Sequence, residues 1–176
     1  MTRFVAFLGG INVGGHRVTM DTLRAEFEAL GLTSVSTFIA SGNVVFEASG
    51  KAAPLELKIE AHLAEQLGYP VPTFVRTAPV VVTIAAREPF RAMVDGDTHL
   101  VGFLRKAPTA AAKRATEALS NDQDRLVVHG AELHWLVHGG FSDTSIKTSL
   151  LAKALGQPWT TRNVKSLRKL AERLRG

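Results

Sequence analysis

Two short polar segments carry the residue types from which a binding site could be built. Gly9-Gly10-Ile11-Asn12-Val13-Gly14-Gly15 leaves the apolar run Phe4–Leu8, and Ser41-Gly42-Asn43 separates two β-rich runs. Glycine has no Cβ and tolerates positive φ, so a loop with four of them lets backbone N–H groups approach a ligand closely. With Asn12, Ser41 and Asn43 beside those amides and His16 or Arg17 on the rim, the chemistry is that of a polar cradle for an anion. A purely structural reading stands next to it: glycines serve tight packing, and Ser-Gly-Asn is ordinary hairpin chemistry.

The surrounding pattern decides whether the two segments can meet. Met20, Leu23, Phe27 and Leu30 recur at helical spacing, with Thr19 as N-cap and Gly31 as C-cap. Val35–Ala40 and Val44–Glu47 form a hairpin around Ser41-Gly42-Asn43. A second helix runs from Pro54 to Gly68, and Val71–Arg76 is an edge strand because it contains Pro72. Strand, helix, strand, strand, helix, strand is the split βαβ, ferredoxin-like order. In that topology strand three lies antiparallel between strands one and two. The glycine loop, the Ser-Gly-Asn turn and the Gly68–Val71 connection then share one end of the sheet.

The order of elements repeats in the second half. Leu100–Leu104 is a strand, Thr109–Leu119 a helix, Leu126–His129 and Glu132–Val137 a hairpin, and Ser145–Leu155 a helix. A last helix spans Arg162–Leu174, capped by Thr160 or Thr161. Val80-Val81-Val82-Thr83-Ile84 favours strand by propensity, although Thr77 followed by Pro79 is also a helix-start pattern. The expectation is an α+β protein of two ferredoxin-like halves with antiparallel sheets and a C-terminal helix, divided into residues 1–86 and 87–176.

Composition excludes several chemistries. The 176 residues include no cysteine, so disulfides, thiolate catalysis and cysteine-ligated metals are absent. No apolar run approaches the ~20 residues of a membrane span, and Met1-Thr2-Arg3-Phe4 is no signal peptide, so a soluble cytoplasmic protein is expected. The glycine loop is neither a Walker A loop nor a dinucleotide fingerprint. His134 and His138 lie ~13 Å apart on a strand, too far to share an ion, and His16, His62 and His99 have no ligand-like spacing. No metal, cofactor or catalytic residue is assigned. The net charge of +5 is concentrated in residues 160–176, which opens a nucleic-acid reading through Arg168, Lys169 and Arg173, although the aromatic pattern of RNA-recognition sheets is not met. Trp135 and Trp159 are expected to pack rather than stack on bases.

Gly10-Ile11-Asn12-Val13-Gly14-Gly15, Met20 and Leu23, Ser41-Gly42-Asn43-Val44-Val45-Phe46 and Thr161-Arg162-Asn163 resemble the bacterial domain-of-unknown-function family 1697. The resemblance implies an α/β protein of ferredoxin-like halves and a helical stretch over residues 77–88 capped by Thr77; it implies no reaction. Where the family usually has Arg, Ser-Lys and Trp, this chain has Gly9, Thr144-Ser145 and Val164. Arg162 is then the main cation left in the motif set, expected in the first turn of the last helix with Asn163 beside it. There it could hold a phosphate or carboxylate, or stitch that helix to the body.

The sequence thus points to a small anionic or nucleotide-like ligand at the glycine-loop end, held by Gly10, Asn12, Gly14, Gly15, Ser41, Gly42, Asn43, Arg162 and Asn163. Nucleic-acid binding and a structural or partner-binding role without chemistry are the alternatives.

Overall fold

Thr19 starts the first helix as its hydroxyl chemistry suggests. In the computed structural model, which describes residues 1–39 and 42–176, Thr19 Oγ1 accepts the Thr22 N–H at 3.1 Å. The chain order is β1 (Thr2–Leu8), α1 (Met20–Ala29), β2 (Thr33–Thr37), β3 (Asn43–Ala48), α2 (Ala52–Leu67), β4 (Thr73–Thr77) and α3 (Ala78–Ala86). It continues with β5 (Thr98–Leu104), α4 (Ala110–Glu117), β6 (Asp124–His129), β7 (Glu132–Val137), α5 (Thr148–Leu155), β8 (Trp159–Asn163) and α6 (Val164–Arg175). Residues 1–84 with 170–176 make one compact unit, and residues 85–169 a second.

In the first unit the strands order as β2-β3-β1-β4, all neighbours antiparallel. This is the ferredoxin-like arrangement, with β4 on the edge. Phe4, Phe27 and Phe46 form the aromatic centre of the core: both Phe4–Phe46 and Phe27–Phe46 have centroids 5.6 Å apart. Each contributes about 1.5–3 kcal/mol by leaving water. Leu23, Leu55, Ile59 and Leu63 supply the helical side of that core. At the far end of α6, Arg173 lies over the Phe38 ring at 5.7 Å and donates to the Thr37 carbonyl.

The second unit repeats the order as β6-β7-β5-β8. Its fourth strand corrects the expected start of the last helix. Arg162 lies in β8, opposite Val101 of β5, rather than in the first turn of α6. Thr160 and Thr161 are β-branched residues in a strand, not helix caps, and the second half needs a fourth strand to cover β5. Gly102 of β5 makes room for that strand: a Cβ there would stand 3.6 Å from the Trp159 ring and 3.2 Å from Leu133 Cβ. Trp135, Leu104, Leu133 and Leu151 centre the second core.

Other boundaries move for local reasons. The Val80–Ile84 run is helical, as the family resemblance implied and propensity did not. The buried residues of α3, Ala78, Val81, Ile84 and Ala85, fall on one helical stripe, and Pro79 sits in the first turn where it removes no needed donor. α2 begins at Ala52, so Pro54 is its third residue. β2 covers Thr33–Thr37, starting two residues before the expected Val35, while the expected end at Ala40 lies outside the described residues; β4 begins two residues after Val71. α5 begins at Thr148 rather than Ser145, because Ser145 is committed to Asp124 through its N–H and its hydroxyl.

Candidate functional site

The end of β1 gathers the segments expected there. Leu8 N–H donates to the Gly42 carbonyl at 2.9 Å, Gly9 N–H to the Pro72 carbonyl at 2.8 Å, and Phe7 pairs with Asn43. Gly42 has φ +81°, and a Cβ on it would stand 3.2 Å from Leu8 Cβ and 3.5 Å from Ile11 Cβ. Only glycine fits that packing and that backbone. The two asparagines hold the rim from within. Asn12, itself at φ 57°, accepts the Val18 N–H on Oδ1 at 2.8 Å, and buried Asn43 donates from Nδ2 to the Phe38 carbonyl at 3.0 Å. Arg17 donates to the Asn12 carbonyl at 3.0 Å, and the exposed His16 ring stacks on Tyr69 at 3.8 Å. Gly10, Gly14 and Gly15 all have positive φ, and the N–H groups of Gly14 and Gly15 donate to no described residue. Ser41 lies outside the described residues.

A concave site lies elsewhere, within the second unit. A cleft of about 370 Å³ is lined by residues 88–91, 93–97, His99, Lys165 and Arg168, and opens beside a smaller compartment of about 160 Å³ that adds Thr98, Asn163 and Val164. Asn163 Oδ1 accepts the Lys165 N–H at 2.9 Å and so fixes the first turn of α6. Lys165 and Arg168, three residues apart, project from that helix on one side. Arg168 donates from Nε to the Ala85 carbonyl at 3.3 Å and stands 3.9 Å from Glu88, whereas the Lys165 ammonium has no ion-pair partner among the described residues. The Asp97 carboxylate accepts from Val94 N–H, His138 Nδ1 and Gly139 N–H, and these hold it ionised below the usual carboxylate range.

Behind the cleft wall two imidazoles meet. His99 on β5 and His134 on β7 are diagonal neighbours across the sheet, since His99 faces Leu136 and Val101 faces His134. His99 Nε2 lies 2.9 Å from His134 Nδ1, and the Arg87 guanidinium approaches His134 Nε2 at 3.5 Å. Phe90 meets the His99 ring edge-on, 5.1 Å between centroids. Burial drives the His99 pKa down to about 4, with Arg168 adding to the effect. Burial likewise drives His134 to about 3, assisted by His99, Arg87 and His129. Both rings are therefore neutral at pH 7. Two imidazoles already bonded to each other and flanked by a guanidinium do not form a cation site, and no group of three or more metal-ligating side chains occurs among the described residues.

The profile of the family described as "Protein of unknown function (DUF1697)" matches residues 1–134. The chain belongs to the DUF1697 family. A solved structure of a conserved bacterial protein from Streptococcus pneumoniae is similar over 100% of this chain and 99% of its own, with a TM-score of 0.74 and 24% identity. At that identity the likeness speaks for the fold. No curated protein matches the sequence.

In this DUF1697 chain the candidate residues divide between the two units. Gly10, Asn12, Gly14, Gly15, Gly42 and Asn43 stand at one rim of the first sheet, while Arg162 and Asn163 belong to the second. Asn163 lines the smaller compartment. Arg162 is buried in β8, where its Nη1 donates to Thr160 Oγ1 at 3.1 Å and to the Thr161 carbonyl at 2.8 Å, and burial lowers its pKa to about 10. Thr144 and Ser145, at a departure from the family's usual pattern, hold the buried Asp124 carboxylate, which also accepts Trp135 Nε1–H at 2.8 Å. Burial alone would raise the Asp124 pKa; the four donors from Thr144, Ser145 and Trp135 outweigh it and keep the group ionised. Sequence reasoning missed His99, His134, Arg87, Lys165 and Arg168 as a group. The one available signal was that two histidines fall in or beside strands that pair in the repeated half-unit.

Proposed function

We propose that this protein binds a small anionic ligand in the cleft of its second unit. The observation that carries the reading is a concavity of about 370 Å³, within the ~300–1,000 Å³ of small-molecule sites. Its wall includes Lys165, which has no ion-pair partner among the described residues, the partly engaged Arg168 and the buried His99. Burial and neighbouring cations perturb His99 and His134 strongly, a property that clusters at functional sites. The test is a titration of ¹⁵N-labelled protein with a panel of small carboxylates and phosphates. Amide shifts concentrated at residues 93–99 and 163–168, and lost in Lys165→Glu, support the reading. Saturating additions that leave those amides unmoved refute it.

The glycine rim of the first unit supports a second reading, also for a small anion. It rests on the exposed N–H groups of Gly14 and Gly15, which donate to no described residue, in the loop that also carries Arg17. Asn12 and Asn43 would then act as scaffold rather than contacts. In the same titration this reading requires the shifts to fall at Gly14 and Gly15. Nucleic-acid binding through α6 is not proposed, because Arg168 and Arg173 are engaged within their own units.

A further inference from the structure

Hydrogen-bond chemistry fixes the tautomers of the buried pair. A guanidinium can only donate, so the His134 nitrogen nearest Arg87, Nε2, carries the lone pair. A neutral imidazole has one N–H, which on His134 must then be at Nδ1. That proton points to His99 Nε2 at 2.9 Å, making Nε2 the acceptor. His99 therefore carries its own proton on Nδ1. This second nitrogen has no hydrogen-bond partner among the described residues, and His99, only 3% exposed, forms part of the wall of both the cleft and the smaller compartment. The order Arg87, His134, His99 leaves one preset donor, Nδ1–H, on a residue that lines the compartment.

We infer that the compartment of about 160 Å³ receives the carboxylate of a small organic acid, which accepts a hydrogen bond from His99 Nδ1–H and is balanced by Lys165 and Arg168. This rests on the cleft being the ligand site. The surrounding charge selects a single negative charge over two. Arg91, Lys165 and Arg168 face Glu88, Asp95 and Asp97 around the cleft, so a dianionic phosphate would meet as many acids as cations. A carboxylate adds one charge beside the two cations of the inner compartment, where Asp97 is the one acid among the described lining residues and already accepts three hydrogen bonds. Arg87 and His134 are positioning residues in this scheme: they set which nitrogen of His99 bears hydrogen.

The test reads the imidazoles directly. Long-range ¹H–¹⁵N spectra of the full chain at pH 7 should place both His99 and His134 in the Nδ1–H tautomer. Sodium acetate should move the His99 Nδ1 resonance saturably, and inorganic phosphate at pH 8 should move it less at equal concentration. Arg87→Met should mix the tautomers and weaken acetate about tenfold, the scale of one hydrogen bond to a charged group, while Arg87→Lys should restore order. An Nε2–H tautomer at His99, or phosphate binding tighter than acetate, overturns the inference. If acetate moves cleft amides but leaves His99 Nδ1 still, the relay is wrong and the cleft reading survives. Should neither anion move any cleft amide, both fall together.

Discussion

Acid should destabilise this protein through two buried histidines well before its carboxylates titrate. His99 and His134 are held near pKa values of about 4 and about 3, against an ordinary value of 6.5. Their folded-state pKa values are depressed, so between pH 6.5 and about 4 the unfolded chain binds protons that the folded chain refuses, and stability rises with pH. The groups facing the pair are Arg87, Arg168 and His129, with Phe90 across the His99 ring, and the cations among them oppose a further positive charge. Between pH 7.5 and pH 5 each histidine should remove about 2 kcal/mol, and the pair about 4. That is a large part of the ~5–15 kcal/mol that holds a domain together. Urea midpoints measured across this window supply the assay, with His134→Gln as comparison. The variant should be less stable at pH 7.5 but should lose about half as much on acidification. Parallel curves for the two proteins would refute the claim that these rings are buried neutral.

Three further outcomes follow from named contacts. Asp124→Ala strands the Trp135, Thr144 and Ser145 donors, and should cost roughly 3 kcal/mol in urea unfolding at pH 7. Because the Asp124 pKa is depressed on folding, its contribution is present above the ordinary value of 3.8 and lost below it; wild type and Asp124→Asn should converge as pH falls through that range. Gly42→Ala places a methyl 3.2 Å from Leu8 Cβ at φ +81° and should cost about 1–3 kcal/mol by thermal or urea denaturation, more than Gly14→Ala, which meets open space.

The first unit was largely legible because its signals are local. The Thr19 cap, the apolar stripe of α1 and the hairpin glycine sit within a few residues of the structure they specify, and the split βαβ order then placed Asn43 beside Phe7. Propensity alone reads the Val80–Ile84 run as strand, against the helix that the family resemblance implied; side-chain preference yields there to the helical stripe of Ala78, Val81 and Ala85. β8 was hidden for a different reason. Val164, Leu167 and Ala171 begin an apolar stripe directly after it, and four of its five residues are polar or basic; what makes Thr160–Asn163 a strand is a long-range partner, β5. The histidine pair could not be read at all from spacing. His99 sits 35 positions from His134 and one residue before the strand start expected at Leu100, so the diagonal contact exists only once β5 and β7 are paired in register.

Backbone amide shifts on adding sodium acetate to the full chain test the central claim most directly. The account predicts saturable shifts at Met93–His99 and Asn163–Arg168, with Lys165→Glu removing them. Shifts confined to Gly10–Gly15, or none at saturating acetate, would contradict it.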